Sequence, residues 1–370
     1  MSTANLLHNE ILEVNMGPQH PSTHGVLRLV LSLDGETVVG MEPDIGYLHR
    51  GVEKLAEYED YVQVEVLTDR LDYVAAMSEN LGYVGAVEQL MGVEVPPRAQ
   101  AIRVILVELQ RIASHLVWLG THGLDIGAMT VFFWCFRERE IILDLFEGFC
   151  GARLTYNSMR IGGLQEDLPP GWVRRCRQFL KIYPARQDEY ETLLSKNRIW
   201  LKRTKDVGVI SAVDAVDLGL TGPALRGSGV DLDLRKKMPY SGYENYDFDV
   251  PLGKNCDTYD RYLIRLEEMR QSVRIVEQAL DGLPEGPVRA KVPKKIRPPK
   301  GEVFHMVEGP RGIQGFYLVS DGTDRPYRCH FRAPSFVNLQ ALKKMCMGGL
   351  VADVVAVIGS LDIVLGDCDR

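Results

Sequence analysis

The chain is 370 residues long, with 45% hydrophobic and 25% charged residues and a formal net charge of −7. That length suffices for one large domain or two smaller ones around a sizeable core, and the near-average composition excludes a disordered or fibrous chain. The acidic balance supplies no basic field, so nucleic acid is excluded as a partner.

Residues 10 to 43 read as β structure: ILEV, then VLRLVLSL, an Asp34-Gly35 turn and TVVGME. Asp-Gly between apolar runs is a strong hairpin signal. Between the first two runs lies GPQHPSTHG, residues 17 to 25, in which Gly17, Pro18, Pro21 and Gly25 break either a helix or a strand and leave His20 and His24 on a short, stiff loop. From about Val52 to Ile199 apolar residues recur at helical spacing, with breaks predicted at 92–97, 120–127 and 161–171. AQAIRVILVELQRIASHLVWLG follows a Pro-Pro stop and has a wide apolar face, which predicts a central helix carrying Arg103, Glu108 and Arg111.

LTGPALRGSGVDLDLRKKMPYSGYENYDFDVPLG is dense in Gly, Pro and Asn and is expected to be irregular, with a length that points to function or an interface. YDRYLIRLEEMRQSVRIVEQALDGL reads as a long amphipathic helix ended by Gly282. After the Pro- and Lys-rich KVPKKIRPPKGE, the stretches EVFHMVEG, GIQGFYLVSDG and PYRCHFRAP read as short strands, expected to pair with the N-terminal hairpin. FVNLQALKKMCMGG predicts a last helix before VADVVAVIGSLDIVLGDCDR.

That terminal run is broken by Asp353, Gly359 and Asp362, and no apolar run reaches the roughly 20 residues of a membrane helix. Membrane association is therefore expected only through a partner. The start MSTANLLHNE has no basic stretch followed by an apolar one, which points to a cytoplasmic location. Seven cysteines are dispersed without a CxxC pair, against a zinc ribbon, a redox dithiol or an iron–sulfur nest.

Taken singly, the polar motifs have ordinary structural readings. His20 and His24 are an incomplete metal set, and taken alone read first as caps of strand ends and second as imidazoles presented by a stiff loop. Arg50 and Glu53, at i and i+3, suit a helix-surface pair. TDRLDY, residues 68 to 73, suits a first helical turn with a buried tyrosine, and Asp125 in GTHGLDIGA suits the cap of a following helix.

Together, GPQHPSTHG, IGYLHRGVEK, TDRLDY, HLVWLGTHGLDIGA, FFWCFRERE, RIGGLQEDLP, LTGPALRGSGVDLDLRK, YSGYENYDFDVP, RAPSFVNLQ and SLDIVLGDCDR resemble one family over nearly the whole chain. It is the quinone-site subunit, of the 49 kDa type, of respiratory complex I, the proton-pumping NADH:quinone oxidoreductase. That family is related to the large subunit of nickel–iron hydrogenases, whose metal is held by two CxxC pairs. Where a hydrogenase has Arg-x-Cys-Gly-x-Cys, this chain reads Arg70-Leu71-Asp72-Tyr73-Val74-Ala75. Where a hydrogenase ends in Asp-Pro-Cys-x-x-Cys, it reads Asp362-Ile363-Val364-Leu365-Gly366-Asp367, with Cys368 one place out of register. Without the four thiolates a nickel–iron site has no ligands, so hydrogenase chemistry and a bound metal are not expected.

The resemblance implies that His24 and Tyr73 bind and protonate the quinone head group and that Asp125 pairs with His24. It places Arg50 and Arg70 near the terminal tetranuclear iron–sulfur cluster of a smaller partner subunit. It implies no cofactor on this chain, since NADH and FMN belong to other subunits and no GxGxxG opens a βαβ unit. The implied partners are the small iron–sulfur subunit, further subunits of the peripheral arm and a membrane subunit completing the quinone channel, on the cytoplasmic side of the bacterial inner membrane. One departure is Thr155, where many relatives have a histidine associated with proton-coupled cluster reduction.

The implied fold is α+β and mainly α, a helical bundle of the hydrogenase large-subunit type with a small antiparallel β-domain. Its divisions are residues 1–44 with the hairpin and histidine loop, a helical core at 45–300, strands at 301–333 pairing with the N-terminal region, and a returning tail at 334–370. Two other readings stay open: the same subunit in a ferredoxin-fed assembly, and a silent hydrogenase-like scaffold, for which His24, Tyr73 and Asp125 would be needless.

Overall fold

A computed structural model describes residues 11–370. Strands β1 (Leu12–Met16), β2 (Arg28–Asp34) and β3 (Thr37–Asp44) form an antiparallel sheet in that order. The alternation of β2 buries Leu29, Leu31 and Leu33 on one face. The predicted turn pairs Asp34 with Thr37, and Gly35 takes the left-handed backbone at φ +61° that so tight a turn requires.

Five helices follow: α1 (Val52–Tyr58), α2 (Tyr61–Thr68), α3 (Ala76–Met91), α4 (Pro97–Asp125) and α5 (Met129–Cys150). The Pro-Pro pair opens α4, with proline in its first turn where no amide is needed. The predicted break at Gly120 is absent, and α4 continues to Asp125. Gly120 and Gly123 face α5 at ordinary packing distance: a Cβ on them would lie 3.4 Å from Phe132 and 3.6 Å from Val131.

Two-residue strands β4 (Met159–Arg160) and β5 (Gly163–Leu164) fill the next break, ahead of α6 (Trp172–Leu194) and α7 (Arg198–Thr204). The irregular segment and its approach contain only short helices, α8 (Ala212–Asp217), α9 (Pro223–Arg226) and α10 (Leu234–Lys237), before α11 (Thr258–Asp281) ends at Gly282 as predicted. A second antiparallel sheet comprises β6 (Gly301–Gly309), β7 (Gly312–Ser320) and β8 (Arg328–Arg332). The predicted last helix is two pieces, α12 (Pro334–Leu339) and α13 (Ala341–Cys346), and the tail forms α14 (Val351–Leu361) and α15 (Leu365–Asp369).

The architecture is α+β and mainly α. The expected pairing of the 301–333 strands with the N-terminal hairpin does not occur, and the two sheets are separate. The free edge of β3 is taken by the turn before α14, where Val38 N donates to Gly349 O (2.9 Å) and Val351 N to Glu36 O (2.9 Å). The apolar face of the first sheet packs with Val354, Val357, Ile358 and Leu361 of α14. The second sheet joins the main core around α3, α4, α5, α6 and α11. Helix α3 lies so close on it that a Cβ at Gly82 would collide with the Phe316 ring and one at Gly85 would lie 2.6 Å from His305 Nε2.

His122 of α4 sits between Trp118 and Trp200, at ring distances of 5.5 and 5.2 Å. Burial, then the charges of Arg265 and Arg261, push its imidazole down to about 3. Its neutral form therefore adds stability that is complete above the unfolded value near 6.5 and is lost as pH falls toward 3. The loss between pH 7 and 5 is expected to be about 2 kcal/mol smaller for His122→Phe, read by chemical denaturation of the purified chain at both pH values.

Candidate functional site

The opening loop forms a single 3-10 turn over Pro21–Thr23. His20 Nδ1 accepts from Ser22 N (3.2 Å) and so caps this turn rather than a strand end, and Thr23 Oγ1 donates to the carbonyls of His20 and Pro18. A side chain at Gly17 would collide with the Leu27 carbonyl, so the loop closes only around glycine. His24 ends the turn in a left-handed conformation at φ 56° and keeps solvent access. The protein atoms on its other side, and the charge of Arg311, hold its imidazole below its ordinary value.

Asp125 departs from both expectations. It is the last residue of α4 and does not cap α5, whose first turn has no side-chain cap. Its carboxylate accepts from Ser22 Oγ (3.3 Å), and burial raises its pKa against the pull of Ser22 and His20. Asp125 therefore faces the His20 side of the loop and makes no hydrogen bond to His24. An apolar groove of about 770 Å³, lined by Val14, Met16, Leu31, Val351 and Val355 with Pro18 and His20, borders the same loop; neither His24 nor Tyr73 lines it.

The two stretches aligned with the hydrogenase ligand motifs meet in space. Tyr73 packs on Gly366, where a Cβ would lie 2.9 Å from its ring and 2.6 Å from the Leu71 carbonyl. Between the stretches stands Arg311, at the turn joining β6 to β7. Its Nη1 donates to Asp72 (2.8 Å) and Ser114 (3.0 Å), its Nη2 donates to Asp362 (3.1 Å), and its own carbonyl accepts from Asn338 (3.0 Å). The arginine is 2% exposed. Burial raises Asp362 to about 6 although Arg311 and Arg265 pull it down, and burial and the neighbouring Asp72 raise Asp367. Asp72 and Asp367 occupy two of the positions aligned with thiolates, and among the described residues no group of three His, Cys, Asp or Glu is arranged to hold a metal.

Tyr73 is half-buried, and burial raises its phenol, with Asp72 adding to the rise and Arg311 and Arg50 opposing it. Arg50 donates to the Gly366 carbonyl (2.9 Å) and lies within the field of Tyr73, Asp369 and Arg70. Its expected partner Glu53 instead pairs with Arg328 (2.8 Å) and His330 (2.8 Å). Arg70 is exposed and donates to the Val66 carbonyl (2.5 Å). Beside it Asp69 is fully buried, and burial lifts its carboxyl to about 6 against Asn80, Arg70 and the Asn157 amide. Thr155, next to that segment, occupies left-handed backbone at φ 52°, a costly conformation for a β-branched residue.

Asp125 is linked to Ser22 and His20, while the field of Arg311 reaches both His24 and Tyr73, and Arg50 lies in the field of Tyr73 and Arg70. Arg311 is the residue that motif reading missed. Its signal was an arginine in the Gly309-Pro310-Arg311-Gly312 turn between two apolar strands.

A family model described as "Respiratory-chain NADH dehydrogenase, 49 Kd subunit" matches residues 125–298 and 291–370. A NADH-quinone oxidoreductase D subunit of Solibacter usitatus is 60% identical over 370 residues, covering all of both chains. The chain belongs to the 49 kDa subunit family of the respiratory-chain NADH dehydrogenase. The corresponding NADH-quinone oxidoreductase D subunit of Geotalea uraniireducens is 58% identical over 98% of this chain and 99% of its own, and that of Trichlorobacter lovleyi 57% identical over 99% and 100%. Within this 49 kDa-type chain no helix among the described residues is long and apolar enough to cross a membrane.

Removing Arg311 would leave Asp72 and Asp362 as unpaired buried carboxylates. Arg311→Met is expected to cost about 3–5 kcal/mol, and adding Asp362→Asn to return part of that loss. A double-mutant cycle by chemical denaturation measures the coupling.

Proposed function

We propose that the chain forms the quinone-reducing site of a proton-pumping NADH:quinone oxidoreductase, next to a tetranuclear iron–sulfur cluster held by a smaller partner subunit. What supports this reading is membership of the 49 kDa family together with one buried guanidinium, Arg311, that is bonded to Asp72 next to Tyr73 and whose field reaches both Tyr73 and His24. The relatives' names speak of NADH and quinone, which favours the NADH-fed assembly over a ferredoxin-fed one. NADH and FMN then sit on other subunits, and this chain lies peripherally on the cytoplasmic face of the inner membrane against a membrane subunit. The scaffold reading leaves the site's donors without a purpose.

Quinone reduction needs two electrons and two protons, delivered to two carbonyl oxygens. In this reading the Tyr73 hydroxyl donates a hydrogen bond to one oxygen and the His24 imidazole an N–H to the other. The raised phenol keeps its proton until electrons have made the quinone oxygen basic enough to take it, so proton transfer follows reduction. The fixed charge of Arg311 favours the negative charge that develops before protonation. Asp125 holds the histidine loop through Ser22. Arg50 and Arg70 face the partner's cluster and stabilise its reduced state.

In membranes carrying Tyr73→Phe, NADH-driven quinone reduction is expected to fall on the order of 100-fold, while reduction of an artificial acceptor that draws electrons upstream persists. Retention of both rates removes Tyr73 from the chemistry. Thr155 supplies no titrating imidazole, and the nearby Asp69 titrates at about 6. Above pH 7 the midpoint potential of the partner's cluster is therefore expected to be nearly flat, which redox titration followed by electron paramagnetic resonance measures; a steep slope there rejects the assignment.

A further inference from the structure

The loop carrying Arg50 packs inward only through the half-buried Ile45 and Leu48, which lie against the smaller core. Gly46, Tyr47, His49 and Arg50 are all exposed, and a cavity of about 520 Å³, lined in part by Ile45, Gly46 and His49, opens beside it. Polar bonds to a single short element and the residue after it fix the loop's exposed part. Asp369 accepts at Oδ1 from Gly46 N (2.9 Å) and at Oδ2 from Leu48 N (2.7 Å), so one carboxylate takes two backbone amides of the loop. The Asp369 carbonyl meets His49 Nδ1 (2.7 Å), the Arg370 carbonyl accepts from Arg50 N (2.9 Å), and the Gly366 carbonyl accepts from the Arg50 guanidinium (2.9 Å). The same Gly366 is the seat of the Tyr73 ring. One helical turn, α15, therefore touches both the residue read as facing the cluster and the residue read as facing the quinone.

We propose that α15 sets the position of Arg50 relative to Tyr73, with Asp369 as a positioning residue for the cluster side of the site and Gly366 as the contact shared by both sides. The proposal rests on the roles given above to Arg50 and Tyr73, and it adds the element that registers one against the other. A carboxylate suits this task because both of its oxygens accept, and charge-assisted bonds to amides are shorter and stronger than neutral ones. An asparagine offers one acceptor and turns its own N–H groups toward the second amide. Gly366 has no substitute: a methyl there presses on the Leu71 carbonyl and the Tyr73 ring.

The test uses the assembled enzyme in membranes. For Asp369→Asn the midpoint potential of the partner's cluster is expected to shift downward as Arg50 retreats, and quinone-reduction kcat to fall at least threefold with KM unchanged. Asp369→Glu, which keeps two accepting oxygens, is expected to restore part of both. Gly366→Ala is expected to give the opposite split, with KM for quinone raised at least threefold and the cluster potential held. Arg50→Met is the control. If it moves the midpoint and Asp369→Asn does not, the positioning role is overturned while Arg50 keeps its place. If Arg50→Met leaves the midpoint unchanged, Arg50 does not face the cluster, and the proposal falls with that assignment. Reduced assembly of Asp369→Asn with wild-type potential and turnover per cluster means a structural role only and also overturns it. Hydrogen exchange in the wild-type complex tests the proposal without any variant: the amides of Gly46, Leu48 and Arg50 are expected to be protected, and rapid exchange overturns it.

Discussion

Charge buried among apolar helices is the constraint around which the chain is arranged. Helix α4 carries Arg103, Glu108, Arg111 and His115 inside the core, and α11 carries Arg261, Arg265 and Glu268. An isolated buried charge costs far more than any single packing contact returns, so each needs a partner at hydrogen-bonding distance. Arg103 takes Glu88 of α3 at 2.7 and 3.0 Å and the carbonyls of Arg160 and Gly163. Glu108 takes Arg111, Arg235, Tyr243 and Ser272, and Glu268 takes Arg226 and His115. Arg226, Asp233, Arg235 and Tyr243 all come from the irregular segment. That stretch has little secondary structure because its place is fixed by countercharges, which its Gly- and Pro-rich backbone can bring into the core one at a time.

Arg311 is where this network becomes a site. It belongs to the same group of buried, paired arginines, and it borders residues with solvent access, His24 and Tyr73. The structural requirement to neutralise Asp72 and Asp362 places a fixed positive charge beside a phenol and an imidazole. In a medium of low dielectric such a charge acts strongly and needs no reorganisation when the charge of a bound molecule changes. An arginine held between Asp72 and Asp362 occupies the junction of the two stretches that carry them.

Local features were legible in the sequence. The Asp34-Gly35 hairpin, the stop of α11 at Gly282 and the stiffness of GPQHPSTHG follow from backbone preferences within a few residues. The misreadings all involve partners distant in the chain. Gly120 and Gly123 read as a break, but the helix continues through both, packed against α5. The two sheets stay separate, and the start of the β3 edge bonds instead to residues 348–351, more than 300 positions away. Asp125 read as a cap because its partner, Ser22, is 103 residues away. Arg311 was passed over because its partners lie at 72, 114 and 362, which no local pattern connects.

The two glycines of α3 give the hairpin a further meaning. With no Cβ at Gly82 or Gly85, the helix rests directly on Phe316 and His305, so the height of β6 and β7 above α3 is defined to within the size of one methyl group. Both strands run in register to the turn that bears Arg311, with Gly309 opposite Gly312. The hairpin therefore works as a stiff arm, footed on α3 and carrying its charge at the far end. A slightly larger residue under the foot would tilt the arm and displace the guanidinium, so a flaw in helix packing far from the cavity would present itself as a defect of chemistry.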